Sequence, residues 1–193
     1  MKGIFESIKG FIVKWYDRFK KFCYLFAIWA VIHSTISICN FSAAFEYDDG
    51  IVYSRDAYQK AIEAGDDFNS RLNLYSDYER TKIIPFLTMF FLKIFGFKID
   101  IIADRPDINS SGIIKKWKEI SSSIYFVSDQ NQKYEILESK KYILFFANSD
   151  EGITQAKKAG ISAIRIKRNP KSINKLSYTP GKFNEIILPL SEY

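Results

Sequence analysis

Four short apolar runs in this chain break off into residues able to do chemistry. Glu46, Asp48 and Asp49 follow the first and Asp104 and Arg105 the second. Ser128 and Asp129 follow the third, with Lys133 just behind, and Asn148, Ser149, Asp150 and Glu151 the fourth. Carboxylate oxygens are hard ligands that suit Mg²⁺, and an ammonium group suits a phosphate. Carboxylates from two run ends plus one lysine are therefore the parts of a Mg²⁺-assisted phosphoryl site. A plainer reading stands beside it: Asp48 and Asp49 cap or solvate a turn, and Lys133 forms an ordinary ion pair with Asp48 or Asp150.

For these residues to meet, the runs must be strands whose carboxyl ends lie together. From residue 40 onward, short runs rich in Ile, Val, Phe and Tyr alternate with helical stretches, the pattern of a parallel sheet covered by helices. Five strands are predicted, at 41–47, 97–103, 123–128, 142–147 and 162–167. In an open sheet of this kind ligands sit beyond the carboxyl ends. Helices are expected near 56–64, 85–95, 109–120, 131–139 and 151–159. Pro85 suits a first turn, and Gly96 and Gly160 suit helix ends. The very apolar 85–95 reads as a buried helix rather than a second membrane span. Residues 66–82 are polar with scattered aromatics, fit no strand and read as a small insertion over one end of the sheet.

With 193 residues the chain is long enough for one domain with a real core. The net charge of +6 is concentrated at the N-terminus, in Lys2, Lys9, Lys14, Arg18, Lys20 and Lys21 against Glu6 and Asp17. No arginine-rich run or zinc-finger spacing accompanies it, so nucleic acid is not an expected partner. The run 165–175, RIKRNPKSINK, reads as a solvated edge or a patch for an anionic partner. Residues 22–39 carry no Asp, Glu, Lys or Arg and are about long enough to span a hydrocarbon core. The basic segment before them, with Phe5, Ile8, Ile12, Trp15 and Phe19 at helical spacing, suits an amphipathic interfacial helix. Together, residues 1–40 read as a membrane anchor, with 41–193 on the non-cytoplasmic side by positive-inside logic. A signal peptide cleaved near Ser42–Ala44 and a soluble helix packed on the domain are the competing readings. His33 lies in this stretch and is assigned no catalysis. Cys23 and Cys39 stand about 24 Å apart along one helix, too far to pair.

The order of these segments resembles the haloacid dehalogenase-like phosphatases, most closely the bacterial class B acid phosphatases. FEYDDGIVYS stands where that family has a Phe-Asp-Ile-Asp-Asp-Thr-type motif. ANSDEGITQAKKAGISAIRIKR stands where it has Gly-Asp-Ser-Asp-Asn-Asp-Ile followed by a helix and an Ile-Arg-Ile strand, and NEIILPLSEY is similar to its ending. The resemblance covers about 41–193. It implies an α/β, Rossmann-like three-layer sandwich with a mainly parallel five-stranded sheet, preceded here by the amphipathic or transmembrane helix.

The resemblance also implies roles. Glu46 takes the place of the nucleophilic aspartate, and Asp48 that of the general acid whose backbone carbonyl binds Mg²⁺. Lys133 is the retained lysine, which together with Ala103 and Arg105 marks the phosphate position. Glu46, Asp48, Asn148 and Asp150 mark the metal position. Several of these depart from the family pattern. Glutamate adds a methylene, displacing the attacking oxygen by roughly 1 Å, which can cost about a hundredfold in rate. Asn148 is neutral where the family has a metal-binding aspartate. Ala103 offers no hydrogen bond where a hydroxyl stood, a loss of about 3 kcal/mol of transition-state stabilisation. Gly50 and Gly152 replace a threonine and a later aspartate. The expectation is a catalytically degenerate phosphatase-like protein, a binding or structural subunit of a membrane-associated assembly with protein partners and no cofactor. The alternatives are a Mg²⁺-dependent phosphomonoesterase with an altered nucleophile, and a phosphate or nucleotide binder without hydrolysis.

Overall fold

Apolar side chains recurring at helical spacing, with no Pro before residue 85, give the N-terminal segment one continuous helix, α1 (Lys2–Ile38), which runs through Gly3 and Gly10. The computed structural model describes residues 2–65, 68–174 and 176–193. Asp66 and Asp67 of the expected insertion and Lys175 of the basic run lie outside the described residues. The amphipathic segment and the span expected after it are thus a single helix. Within it, Gly10–Ile38 is long and apolar enough to cross a membrane by length and composition.

Asn40, in the left-handed region that asparagine tolerates, turns the chain into β1 (Ser42–Glu46). There follow β2 (Val52–Tyr53), α2 (Arg55–Glu63), α3 (Phe68–Arg71), a 3₁₀ helix (Leu72–Tyr78), β3 (Arg80–Thr81), α4 (Ile83–Ile94) and β4 (Lys98–Ala103). Next come α5 (Ser111–Trp117), β5 (Ser123–Phe126), α6 (Gln130–Lys140), β6 (Leu144–Ala147), α7 (Asp150–Lys158), β7 (Ser162–Ile166) and β8 (Ile186–Leu188). The main sheet has the order β5-β4-β1-β6-β7-β8, and all its pairings are parallel. It contains six strands among the described residues, one more than expected, because Ile186–Leu188 adds itself to β7. The expected insertion does contain a strand: β3 pairs antiparallel with β2.

Side chains alternate across β1 and build the three layers. Ala43 and Phe45 join Ile99, Ile101, Phe146, Met89 of α4, and Ile113 and Trp117 of α5 on one face. Ala44 joins Ile102, Phe145, Leu137 of α6, and Ile153 and Ala156 of α7 on the other. The Phe45 and Phe146 rings stack at 4.2 Å between centroids; burying a side chain of this size contributes roughly 1.5–3 kcal/mol. With β1 central and its neighbours parallel to it, Glu46 and Asp48 come out between the ends of β4 and β6. Gly96 and Gly160, both at positive φ, end α4 and α7 as expected.

α4 is not the buried helix that its composition suggested. Only Pro85 and Met89 are fully buried, and Leu87, Phe90, Phe91 and Phe95 remain exposed. Its C-terminal end meets α1, where His33 Nδ1 lies 2.9 Å from the Ile94 carbonyl oxygen.

Candidate functional site

Glu46 ends β1 pointing into the N-terminus of α7, and its carboxylate is almost wholly buried. Four groups donate to it: Lys133 Nζ at 2.9 Å, the Asn148 and Ser149 backbone N–H groups at 2.6 and 3.3 Å, and Ser149 Oγ at 3.1 Å. The first turn of a helix presents unpaired N–H groups and a partial positive charge, so a carboxylate is well held there. Gly152 makes room for it. A Cβ at 152 would overlap Glu46 Oε1 and lie 2.9 Å from Glu46 Cδ. The longer acid at 46 and the missing side chain at 152 are thus one steric unit.

Asp48 is equally engaged. Arg105, itself buried, spans both Asp48 oxygens, with Nε 3.1 Å from Oδ2 and Nη2 bonded to Oδ1. The same guanidinium reaches Glu79 at 2.7 Å and Asn73 at 3.3 Å and lies 4.9 Å from the Tyr47 ring centroid. Tyr47 Oη donates to the other Glu79 oxygen. Burial pushes the Glu79 carboxyl up, opposed by Arg105, while burial lowers and the charges of Asp48 and Glu79 more than restore the Arg105 guanidinium. Arg105 is therefore an internal counter-ion and not the open phosphate ligand expected of it. Glu79 and Asn73 come from the insertion, and their role was not readable in a polar stretch with no motif.

Lys133 has no exposed surface and bridges Glu46 and Asp104, the latter at 2.7 Å. Its expected partners, Asp48 and Asp150, are both taken elsewhere. Burial would lower the Lys133 ammonium, but the charges of Glu46 and Asp104 outweigh it and raise it. Burial pushes Asp104 up to about 6, against the pull of Lys133. Asp104 follows Ala103 at the end of β4, so its strand-end position was the available signal. Ala103 is fully buried and offers no side-chain donor.

Asn148 sits where the metal-binding aspartate was expected. Its Nδ2 donates to the Asp48 carbonyl oxygen, and its Oδ1 accepts from Arg168 Nη2 at 3.1 Å. Asp150 turns away to the C-terminal segment, where Oδ1 accepts from Arg165 and from the Thr179 N–H, both at 2.9 Å. It does not join the metal position. Arg165 also pairs with Glu185 and is buried, so the basic run is in part a core ion-pair element rather than a solvated edge. Asp129 and Ser149 serve as N-caps of α6 and α7.

This donor set does not suit Mg²⁺. The Glu46 carboxylate, the Asp48 carboxylate and carbonyl, Asn148 Oδ1 and Asp150 Oδ1 each accept from a cation or an N–H. Among the described residues no group of three or more His, Cys, Asp or Glu side chains is placed to hold a metal ion. Beside the cluster, a cavity of about 680 Å³ opens over Asp104, walled by Tyr58, Ile62, Phe68, Val127 and Leu176.

No protein-family profile matches the chain. A class B acid phosphatase from Salmonella typhimurium is 38% identical over 65 residues, 34% of this chain and 27% of that protein, so the match spans about a quarter of that relative. Three solved structures superpose on 79% of this chain. One is a protein described as a phosphoglycolate phosphatase from Haemophilus somnus (TM-score 0.53, 13% identity, 96% of that chain). The second is assigned as a β-phosphoglucomutase from Thermotoga maritima (0.55, 13%, 95%). The third is a haloacid dehalogenase-like hydrolase from Streptococcus pneumoniae (0.54, 12%, 96%). At this identity the likeness concerns architecture, and the architecture agrees with the strand order and strand-end cluster above: the chain has the haloacid dehalogenase-like fold.

Proposed function

We propose that this protein is a haloacid dehalogenase-like domain whose phosphoryl-transfer site has been converted into an internal ion-pair network, and that it acts as a binding or structural subunit held at a membrane by α1. The observation that carries this reading is the fate of Glu46. A nucleophile must have a free lone pair aimed at an accessible phosphorus. Here the carboxylate is buried, faces the α7 N-terminus and is held by four donors. Closing a haloacid dehalogenase-like site in this way leaves a rigid scaffold with an anchor, which suits a role in a membrane-associated assembly with protein partners.

The living-phosphatase alternative draws on the 38% match to a class B acid phosphatase and on the retention of Asp48 and Lys133. The binder alternative draws on the cavity over Asp104. Its described lining carries Asp104 and Asp129 and no Lys or Arg, with Lys133 buried behind Asp104, which disfavours a phosphate as occupant.

The deciding experiment is hydrolysis of p-nitrophenyl phosphate by the full chain in detergent, with and without Mg²⁺. The expected result is no turnover above the protein-free background. Mg²⁺-dependent turnover that disappears in Asp48→Asn would overturn the reading in favour of the phosphatase.

A further inference from the structure

The face of α4 that carries Leu87, Phe90, Phe91 and Phe95 is left uncovered, with Phe91 55% and Phe90 45% exposed. An isolated exposed apolar side chain is ordinary, but a cluster on one helix marks a surface with a partner. What covers it follows from the place where α4 ends. The charge-free stretch 22–39, all but its last residue in α1, rises about 27 Å and must be used almost whole to cross a hydrocarbon core of about 30 Å. His33 lies six residues before its outer end, about 9 Å inside. His33 Nδ1 is 2.9 Å from the Ile94 carbonyl oxygen, an acceptor the end of α4 would otherwise leave unpaired. A Cβ at Gly96 would lie 2.7 Å from the His33 carbonyl oxygen, so the two backbones touch. The last turn of α4 is thereby held at the depth of His33, within the bilayer boundary and not above it.

Resting on the reading of α1 as a span, we propose that the Phe90–Phe91–Phe95 face of α4 inserts into the outer boundary of the lipid bilayer and seats the domain on the membrane surface. Charge complements the apolar contact. An open groove of about 410 Å³ beside Phe90 is lined by Phe86, Trp117, Ile120, Lys93, Lys116 and Glu119; Lys93 Nζ donates to the Glu119 carbonyl oxygen, which leaves Lys116 as the lining cation directed at the headgroups. Lys116 lies over the Trp117 ring, with Nζ 5.9 Å from its centroid, and a lysine bordering an aromatic ring places its stem along the apolar zone and its ammonium group among anionic headgroups.

The test uses the full chain in phosphatidylcholine vesicles with and without phosphatidylglycerol. In a Cys23→Ser, Cys39→Ser background, a bimane label is placed at Phe91→Cys, Phe95→Cys or Glu135→Cys, the last an exposed position of α6 on the opposite face of the sheet. A label on native Cys23 with Cys39→Ser reports the span. Doxyl-lipid is expected to quench the labels at 91 and 95 at least twofold, more strongly with phosphatidylglycerol, and to leave the label at 135 unchanged. Quenching at Cys23 without quenching at 91 and 95 overturns the proposal and leaves the span standing. Loss of quenching at all three overturns both. Labels at 91 and 95 that lipid does not quench, but that become shielded from aqueous iodide as protein concentration rises, would make the occupant a second copy of the chain and overturn the proposal.

Discussion

At the scale of single residues, the site turns on where the Glu46 carboxylate goes. It satisfies the α7 N-terminus, and the absence of a side chain at residue 152 leaves it the room to do so. This makes a double-mutant cycle informative. Gly152→Ala should destabilise the protein by about 1–3 kcal/mol, since a buried, pinned carboxylate must move. Glu46→Asp should cost a similar amount by leaving buried N–H groups without an acceptor. The shorter acid removes the overlap with Oε1 and Cδ but leaves Ser149 Oγ 2.9 Å from the added Cβ, so Gly152→Ala should cost clearly less in the Glu46→Asp background than in the natural chain, helped by Ala replacing Gly in a helix. A coupling of at least 1 kcal/mol in denaturant midpoints is expected; strict additivity would show that the two positions are independent. Asp104 gives a pH signature. Its carboxyl is pushed up to about 6 by burial, against roughly 3.9 in an unfolded chain. Between those values the folded protein holds more protons than the unfolded one, so this group makes stability fall as pH rises from about 4 to 6. Asp104→Asn should flatten that part of the urea-midpoint profile, and an unchanged slope would show that Asp104 is not the group responsible.

At the scale of elements, Arg105 ties the end of β4 to the turn after β1 through Asp48, and to the insertion through Asn73 and Glu79. Removing the cation strands two buried carboxylates. Arg105→Met should therefore cost about 3–5 kcal/mol, read as a loss of midpoint in denaturant. Adding Asp48→Asn and Glu79→Gln should recover most of it. A cost below about 1 kcal/mol for Arg105→Met would show that the insertion is held by packing alone. Why this network was not legible follows from its spacing: Arg105 lies 57 residues from Asp48 and 26 from Glu79, and no local periodicity records such a pairing. The strands were legible because a parallel strand buried on both faces is a short continuous apolar run bounded by turns. Ile186–Leu188 was too short to stand out as one. The strand-end rule names Glu46, Asp48, Asp104, Lys133 and Asn148, which the structure brings together. It could not say that they would bond to one another instead of to a ligand, or that Asp150, the first residue of α7, would face the C-terminal segment. α4 was misread as buried because apolar composition all round a helix fits burial in protein and contact with lipid equally well.

At the scale of the whole molecule, the distribution of charge along α1 predicts a direction for a span. Lys14, Arg18, Lys20 and Lys21 precede the charge-free stretch, and positive charge is retained on the cytoplasmic side of a span. The sheet and its closed site, beginning only three residues after α1 ends, would then stand against the other face of the membrane. The two cysteines measure this directly. Both are free and exposed, Cys23 on α1 and Cys39 just past its end, about 24 Å apart along the axis. A membrane-impermeant maleimide applied to intact cells should modify Cys39 and spare Cys23, and Cys23 should react only after the membrane is opened. Modification of Cys23 alone would place the domain in the cytoplasm. Equal modification of both in intact cells would mean that the stretch between them does not cross the bilayer, and α1 would then be a helix lying at the surface. The comparison needs Cys23→Ser and Cys39→Ser as single-site controls, and both residues are exposed and outside the buried core, so the readout is topology and not stability.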